Sequence, residues 1–360
     1  MYSHIPTPPE WVEEYEKYLL HTPDVHEVTA EMRMFEREYD AMRWLAKTIG
    51  VKLSEIGSVL YDIRISENVL EEREKLYRPF RILKRSGGYR QIYDPAKHIR
   101  IVQDKLNKYF RKEYERHGSA NGFSGGGIVE ALQPHTSATC ILKIDFKNAF
   151  PTVRKYDVLR EFVRDHSWYV ANIIADLTTY HDKLPQGALT SPRVFDIVCE
   201  PFDRHMSKLV RNYDAVYTRF ADNIFVSVSD SHFPQPLRNG IIRAIDSDRG
   251  RRGPSFSWHK LSVQNVHNST FHALGLNIVN GKLHNTRSWK RRFRKRIAHV
   301  RYLLDHNLPH TQAFDQLESM AQFVCEQTLS PTLAEAFDSV YHQVYRVRRP
   351  WMYDDYLATN

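Results

Sequence analysis

The chain has 360 residues, of which 42% are hydrophobic and 26% charged, and its formal net charge is +8. This length allows a core divided into about two or three lobes, and the positive charge favours a polyanionic partner. The three cysteines, Cys140, Cys199 and Cys325, lie far apart, so neither a zinc site nor a disulfide framework is indicated. Without a signal-peptide pattern or a run of about 18 apolar residues, we expect a cytoplasmic protein with no membrane partner.

The N-terminal part is predicted to be helical. Apolar residues between Val28 and Gly50 recur at helical spacing and predict an amphipathic helix that ends at Gly50. Shorter helices are expected over residues 52–61 and 66–76. A simple helical cap and a specific RNA-binding role are both compatible with this pattern.

Residues 80–93 alternate like two strands joined at Ser86-Gly87-Gly88, which predicts a tight hairpin carrying Lys84 and Arg90. A helix is then predicted over residues 98–114. The loop over residues 118–127 holds five of the chain's 15 glycines, but no Gly-Lys-Ser/Thr follows it, so it is not a Walker loop. Its glycines would allow the backbone to approach a ligand closely.

An apolar, β-prone run leads to Asp145, and apolar residues from Phe146 to Val153 then continue at helical spacing. Further along, Leu184-Pro-Gln-Gly-Ala-Leu-Thr-Ser-Pro192 predicts a turn, followed by a helix that has Ser191 as its N-cap. A second strand pair then presents Asp222 and Asn223 at the tip of a predicted hairpin. Acids at strand ends are well placed to hold a metal.

The C-terminal part is strongly basic. Residues 229–253 predict a loop and a helix. Residues 287–301 contain eight Lys or Arg interleaved with Trp289, Phe293, Ile297 and Val300, so one helical face packs while the others stay cationic. Helices are also expected over residues 312–328 and 331–347. A cationic helix of this kind suits a nucleic-acid backbone, although a merely soluble helix is the alternative.

In their order and residues, these segments resemble the palm of reverse transcriptases. Asp145 matches the first palm motif, Leu184 to Pro192 matches the xPQGxxxSP motif, and Phe220 to Asn223 matches YxDD but reads FADN. Three further segments resemble motifs of bacterial and retron-type enzymes: the fingers motif at residues 80–95, the AxGFxxG loop at residues 120–127, and the primer grip at residues 272–277.

The resemblance implies an α+β, right-hand polymerase fold with fingers, an antiparallel palm sheet and a helical thumb. It divides the chain into an N-terminal helical extension (1–75), fingers (76–135), palm with fingers elements (136–270), primer grip (271–284), and helical thumb with the C-terminal region (285–360).

The resemblance also implies two-metal nucleotidyl transfer. Asp145 and Asp222 are the implied ligands of two Mg²⁺ ions, with Mn²⁺ as an alternative metal. Asn223 departs from the family pattern, because asparagine keeps an oxygen acceptor but gives up the negative charge. Lys260 is an implied general acid for the departing pyrophosphate, and a surface lysine is the alternative.

Further roles carry over by position. The implied nucleotide-binding residues are Lys84, Arg90, Phe150, Gln186 and Gly187. Phe150 would act as a steric gate that excludes the 2′-hydroxyl, or would simply be a core residue. The implied nucleic-acid-binding residues are Gly275, Lys290, Arg291, Arg294 and Lys295.

We therefore expect an RNA-directed DNA polymerase of the retron or defence-associated bacterial type. Its implied partners are deoxynucleotides, a non-coding RNA template and a DNA or RNA primer. A second reverse transcriptase, an effector protein or a homo-oligomer is also compatible, and antiphage defence is the implied context. Two alternatives remain open: an untemplated or protein-primed DNA polymerase, and a catalytically weak, RNA-binding scaffold with a polymerase fold.

Overall fold

The computed structural model describes residues 30–68, 76–84, 87–123, 125–146, 148–247, 258–266, 269–321 and 331–348. The predicted α+β class is confirmed. None of the helices in these ranges combines the length and the hydrophobicity of a membrane-spanning segment. Cys140 and Cys199 are buried free thiols, and Cys325 lies outside the described residues.

Two long helices open the described chain. Helix α1 (Ala30–Ile49) ends at Gly50 as predicted, and Gly50 has a φ of +70°. Helix α2 (Leu53–Asn68) is continuous where two shorter helices were expected. The predicted break between residues 61 and 66 is therefore wrong. The rest of the second expected helix, residues 69–75, lies outside the described residues. Both helices bury their apolar faces in the main core.

The predicted hairpin is present as strands β1 (Tyr77–Leu83) and β2 (Tyr89–Pro95), which form a separate antiparallel pair. Ser86, the first residue of its predicted tip, lies outside the described residues. Helix α3 (Lys97–Glu113) follows directly, and buries Ile99, Val102, Leu106 and Phe110 along one face. The glycine-rich segment then contains the short strand β3 (Ala120–Asn121).

A five-stranded sheet forms the centre of the molecule. Its remaining strands are β4 (Cys140–Phe146), β5 (Val216–Phe220), β6 (Asn223–Val228) and β7 (Trp258–Asn265), in the order β3-β5-β6-β4-β7. The expectation of a purely antiparallel sheet is wrong, because β3 pairs with β5 in parallel. Two residue pairs make this contact, so the glycine-rich loop contributes only a short edge strand.

The intervening helices pack on the two faces of this sheet. In chain order they are α4 (Ile128–Leu132), α5 (Ala149–Thr152), α6 (Lys155–Phe162), α7 (Trp168–Thr178), α8 (Ser191–Arg211) and α9 (Gln235–Ser247). Alternate residues of β4, namely Leu142 and Ile144, join the main core with α8 and α9. The opposite face, with Ile141 and Phe225, packs in a second core with α4 and the following hairpins.

Two predicted helix starts are wrong. Phe146 belongs to β4, and only one helical turn follows it, because Asn148 takes a left-handed φ of +51° just before α5. Helix α8 begins at Ser191 with Thr190 as its N-cap. The Ser191 hydroxyl donates instead to the carbonyl oxygen of Pro185 at 2.7 Å, which ties the preceding turn to the helix.

Among its described residues, the C-terminal part has a three-stranded sheet followed by three helices. The strands are β8 (Phe271–Ala273), β9 (Leu276–Val279) and β10 (Lys282–Asn285), and the helices are α10 (Arg287–Asp305), α11 (Thr311–Ala321) and α12 (Pro331–Arg348). As predicted, Trp289, Phe293, Ile297 and Val300 of α10 are buried, here in a third core with α11 and α12. Residues 248–253, which end the predicted loop-and-helix segment and include Arg249, Arg251 and Arg252, lie outside the described residues.

Candidate active site

Two aspartates meet at one edge of the central sheet. Asp145, near the end of β4, pairs in register with Asn223, the first residue of β6. The amide nitrogen of Phe146 donates a hydrogen bond of 3.0 Å to the carbonyl oxygen of Asp222, which extends the ladder into the turn. All three polar side chains are partly buried. We call Asp145, Asp222 and Asn223 the acidic edge.

The turn that presents Asp222 consists of Ala221 and Asp222, one position earlier than predicted, since Asn223 already belongs to β6. Ala221 has a φ of +52°, a conformation that costs a residue with a Cβ atom about 1 kcal/mol. Its carbonyl oxygen accepts a hydrogen bond of 3.0 Å from the Arg219 guanidinium, and its amide donates to Asn121 at 3.0 Å. These two bonds hold the turn from behind.

Arg219 is fully buried between two acids of α8. Its Nε and Nη2 donate to both carboxylate oxygens of Asp203 at 2.8 and 2.7 Å, and its Nη1 donates to Asp196 at 2.9 Å. The Tyr217 hydroxyl also donates to Asp203, at 2.6 Å. Burial alone would lower the pKa of Arg219, but the two carboxylates raise it, so the guanidinium stays charged. We call Arg219, Asp196 and Asp203 the buried ion-pair cluster.

The electrostatics of the acidic edge are different. The pKa of the Asp222 carboxyl is raised, first by burial and further by the negative charge of Asp145. A backbone hydrogen bond, the charge of Arg90 and the Asn223 amide, which donates to Asp222 Oδ1 at 3.1 Å, act in the opposite direction. Asp222 therefore carries its negative charge at a cost, which a bound cation would relieve.

The donor set fits a hard divalent cation, because carboxylate oxygens are the ligands that Mg²⁺ prefers. Among the described residues, no group of three or more His, Cys, Asp or Glu side chains is arranged to hold a metal. A metal at the acidic edge would therefore depend on the two carboxylates together with backbone or substrate oxygens.

Strand β7 brings a further predicted residue to this edge. The backbone of Lys260 pairs in register with Asp145, and Trp258 pairs with Phe146. One extra residue, His259, thus makes a β-bulge beside Asp145. Bulges of this kind bend a strand and redirect its side chains, and they are frequent next to active sites.

The turn at Pro185-Gln-Gly187 packs on β2 at Ile92 and Tyr93. The amide of Tyr93 donates to the carbonyl oxygen of Gln186 at 2.7 Å. Gly187 has a φ of +119°, and a Cβ atom there would lie 2.6 Å from the carbonyl oxygen of Tyr93. Only glycine fits this approach, so the residue joins the turn to the β1–β2 hairpin.

Arg90 is exposed, and its positive charge acts to lower the pKa of Asp222. Lys84 lies nearer the hairpin tip, where its amide donates to Gly88 at 2.9 Å and its carbonyl accepts from Gly87 at 3.1 Å. Its side chain is half-buried.

Phe150 belongs to a cluster of three aromatic rings. Its ring centroid lies 5.1 Å from that of Phe123 in the glycine-rich loop and 5.6 Å from that of Phe195 on α8. The Arg219 guanidinium carbon lies 5.6 Å from the centroid of the Phe195 ring. Phe150 is only partly buried, so part of its ring remains accessible to a ligand.

The remaining predicted residues lie in a neighbouring region. Gly275, with a φ of +84°, forms the exposed β8–β9 turn together with Leu274. A cavity of about 280 Å³ separates this turn from α4 and α10, and Trp289 and Arg292 line it. On α10, Arg291, Arg294 and Lys295 are exposed and Lys290 is half-buried. The structure thus groups Gly275 with the basic helix.

A scan against protein families supplies the decisive observation. Residues 82–278 match the family described as reverse transcriptase (RNA-dependent DNA polymerase). The chain belongs to the reverse transcriptase family. The predicted family is confirmed, and the α+β architecture around the acidic edge is accordingly that of a right-hand polymerase.

Individual reverse transcriptases agree with this assignment. The retron Mx65 reverse transcriptase of Myxococcus xanthus is 29% identical over 197 residues, which cover 49% of this chain and 46% of that relative. The retron Ec86 reverse transcriptase of Escherichia coli is 25% identical over 169 residues, which cover 44% and 50% of the two chains. The chain thus spans about half the length of these relatives.

Among solved structures, telomerase from Candida albicans, in complex with a fragment of telomeric RNA, matches with a TM-score of 0.44 and 13% identity. This match covers 79% of the chain and 58% of the telomerase.

Sequence reasoning missed the buried ion-pair cluster. Two signals were available. Arg219 interrupts an otherwise apolar strand, and Asp196 and Asp203 lie seven residues apart on a helix face that also carries Cys199. Charged residues on two apolar faces predict a buried pair, because isolated charges are seldom buried.

Proposed function

We propose that this chain is an RNA-directed DNA polymerase that adds deoxynucleotides by metal-dependent nucleotidyl transfer. The observation that carries the proposal is the pairing of β4 with β6. It brings Asp145 and Asp222 to one end of the sheet, where the charge of Arg90 acts on Asp222.

Each part of this edge has a chemical task in the proposal. Asp145 and Asp222 would hold two Mg²⁺ ions, which activate the attacking 3′-oxygen and stabilise the leaving oxygens. Arg90 would neutralise charge on the triphosphate, assisted by Lys84. Phe150 would exclude the ribose 2′-hydroxyl, and Gln186 and Gly187 would position the nascent base pair. Lys260 is the proposed proton donor to pyrophosphate.

The basic helix completes the proposal. Arg291, Arg294 and Lys295 of α10, with Lys290 and the Gly275 turn, would hold the backbone of the template–primer duplex. A dedicated non-coding RNA is the proposed template, and antiphage defence is the proposed context. Both extensions come from the resemblance to retron enzymes.

The Asn223 amide favours one alternative, a catalytically weak scaffold. Its hydrogen bond to Asp222 stands where the family motif has a second carboxylate, so the acidic edge holds less negative charge. A scaffold of this kind would bind structured RNA without incorporating nucleotides.

Purified protein with Mg²⁺ or Mn²⁺ separates the alternatives. With a primed RNA template we expect incorporation that follows the template sequence and is abolished in Asp222→Ala and Asp145→Ala. Incorporation without any template would identify an untemplated or protein-primed polymerase. RNA binding without incorporation would identify the scaffold. Equal activity in wild type and Asp222→Ala would remove the metal assignment.

A further inference from the structure

The solvent-facing half of α3 is a cationic face. Helical geometry places its basic side chains opposite the buried residues Ile99, Val102, Leu106 and Phe110. The basic residues of this face are Lys97, Arg100, Lys105, Lys108, Arg111 and Lys112. All are exposed except Lys105, which is half-buried. The face extends about 22 Å from Lys97 to Lys112.

Few acids neutralise this face. Asp104 pairs with Lys108 at 2.7 Å, and Glu113 pairs with Lys112 at 3.3 Å. Among the described residues, no ion pair involves Lys97, Lys105 or Arg111. Within α3 itself, six basic residues against Asp104 and Glu113 leave a net charge of +4, and Asp94 of β2 pairs with one of the six, Arg100. The core beneath does not require these charges, since it is apolar.

A surface cavity of about 390 Å³ lies at the N-terminal end of α3, beside this cationic face. Arg78 of β1, Lys97 and Arg100 line it together with Asp94, Pro95 and Ala96. Asp94 bonds Arg78 at 3.2 Å and also bonds Arg100, so one carboxylate holds two guanidinium groups in place. Their second carboxylate-binding edges, and Lys97, remain available to an anion.

We propose that this surface, the cationic face of α3 with Arg78, binds the phosphate backbone of a double-helical RNA segment. The buried side of α3 packs on α1, α2, α7 and α8, so the surface points away from the core that supports the sheet. It would therefore hold a part of the RNA other than the segment being copied. The choice of RNA as the polyanion rests on the proposed function.

The composition of the surface selects among polyanions. Single-stranded nucleic acid is usually held on exposed aromatic rings, whereas the aromatic residues of α3 are half-buried Tyr109 and buried Phe110. A membrane surface requires an apolar face beside the charges, whereas Ile101 is the sole exposed large apolar side chain of α3. Regularly spaced cations on a convex helix suit the phosphates of a duplex.

The test compares two triple variants of the full chain. Lys97→Gln/Arg100→Gln/Lys108→Gln removes three charges from this surface, and Lys208→Gln/Arg211→Gln/Arg243→Gln removes the same charge from exposed positions of α8 and α9. Fluorescence anisotropy measures the Kd for a labelled RNA hairpin with a stem of about 20 base pairs, from about 50 to 200 mM KCl.

We expect the α3 variant to bind the hairpin about tenfold or more weakly, and to lose about two to three units of the slope of log Kd against log salt. The control variant should bind like wild type, and thermal unfolding monitored by circular dichroism should show both variants folded. Equal losses in both variants, or wild-type binding by the α3 variant, would overturn the proposal. Loss of binding to phosphatidylserine vesicles, with hairpin binding intact, would also overturn it.

Polymerase assays separate this proposal from the proposed function. On a short, preannealed primer–template the α3 variant should keep the wild-type kcat, whereas Asp222→Ala should lose activity and still bind the hairpin. An inactive wild type whose hairpin binding depends on α3 would refute the polymerase while supporting the surface. An active wild-type enzyme, together with an α3 variant that binds the hairpin as wild type does, would support the polymerase and refute the surface.

Discussion

Two carboxylates near the β5–β6 hairpin lie in opposite electrostatic environments. On the helix-covered side, Asp203 is fully buried and its oxygens accept bonds from Arg219 and Tyr217. On the open side, Asp222 is partly buried next to Asp145, and its pKa is raised. A saturated acid supports the structure. An acid whose charged form is destabilised, such as Asp222, gains by binding a cation. We therefore expect the chemistry to occur at Asp222 rather than at Asp203.

The buried side can be tested through stability. Asp203→Asn leaves the Arg219 guanidinium without its bidentate partner in a dry environment, and breaking a buried pair in this way costs about 3–5 kcal/mol. We expect urea unfolding to show a loss of this size. Asp222→Asn is the matched control and should leave the free energy of unfolding nearly unchanged while activity is lost. Equal destabilisation by the two substitutions would contradict the distinction between the two sides.

A buried polar group on the opposite face of the sheet, in contact with Phe225 of the second core, can be tested through pH. His135 is buried, its ring nitrogens lie 2.7 Å from the Ser227 hydroxyl and 2.8 Å from the Thr218 hydroxyl, and burial lowers its pKa from 6.5 to about 3. The unfolded imidazole gains a proton below pH 6.5, and the folded one does not until about pH 3. Stability is therefore lost as the pH falls below 6.5.

Between pH 7 and about pH 5.5, this group should remove about 1 kcal/mol from the free energy of unfolding. His135→Asn has no imidazole to titrate, so its stability, although lower throughout, should fall by that much less over the same interval. Urea titrations at the two pH values measure the difference. Parallel losses in the two proteins would show that His135 does not contribute to the pH dependence.

Much of this arrangement could be predicted from local sequence patterns. The strand leading to Asp145, the β1–β2 hairpin and the packed face of α10 follow from the spacing of apolar residues over short windows. The position of Asp222 next to Asp145 required the resemblance, because strand pairing across a long stretch of chain has no local signal. Lys260 was placed in the same way.

Other features depended on tertiary contacts. Serine is a common N-cap residue, but the Ser191 hydroxyl donates to the carbonyl oxygen of Pro185, and Thr190 occupies the N-cap position. The parallel pairing of β3 involves two residues and is too short to leave a pattern. The left-handed Ala221 is also invisible in the sequence, since alanine does not favour that conformation and Arg219 holds it there.

Phe150 tests whether the acidic edge is adjacent to a sugar pocket. Phe150→Val opens space where the 2′-hydroxyl would lie, so ribonucleotide use should rise by about tenfold relative to deoxynucleotide use. The measurement is the ratio of kcat/KM for matched dNTP and rNTP. Phe123→Leu alters the same ring cluster and should leave this ratio unchanged. An unchanged ratio in Phe150→Val would assign the ring to packing alone.

The smallest expected effect concerns Asn223, the departure from the family motif. Asn223→Asp replaces the amide that donates to Asp222 with a further carboxylate, which increases the negative charge of the acidic edge. More charge should strengthen Mg²⁺ binding, and we expect the Mg²⁺ concentration for half-maximal activity to fall by a few fold, with kcat preserved or increased. Protons compete with the metal for these carboxylates, so the gain should shrink as the pH falls. Asn121→Asp, which changes a buried asparagine of β3, is the matched control and should not tighten Mg²⁺ binding. A higher Mg²⁺ requirement in Asn223→Asp would mean that the amide at this position is itself adapted to the reaction.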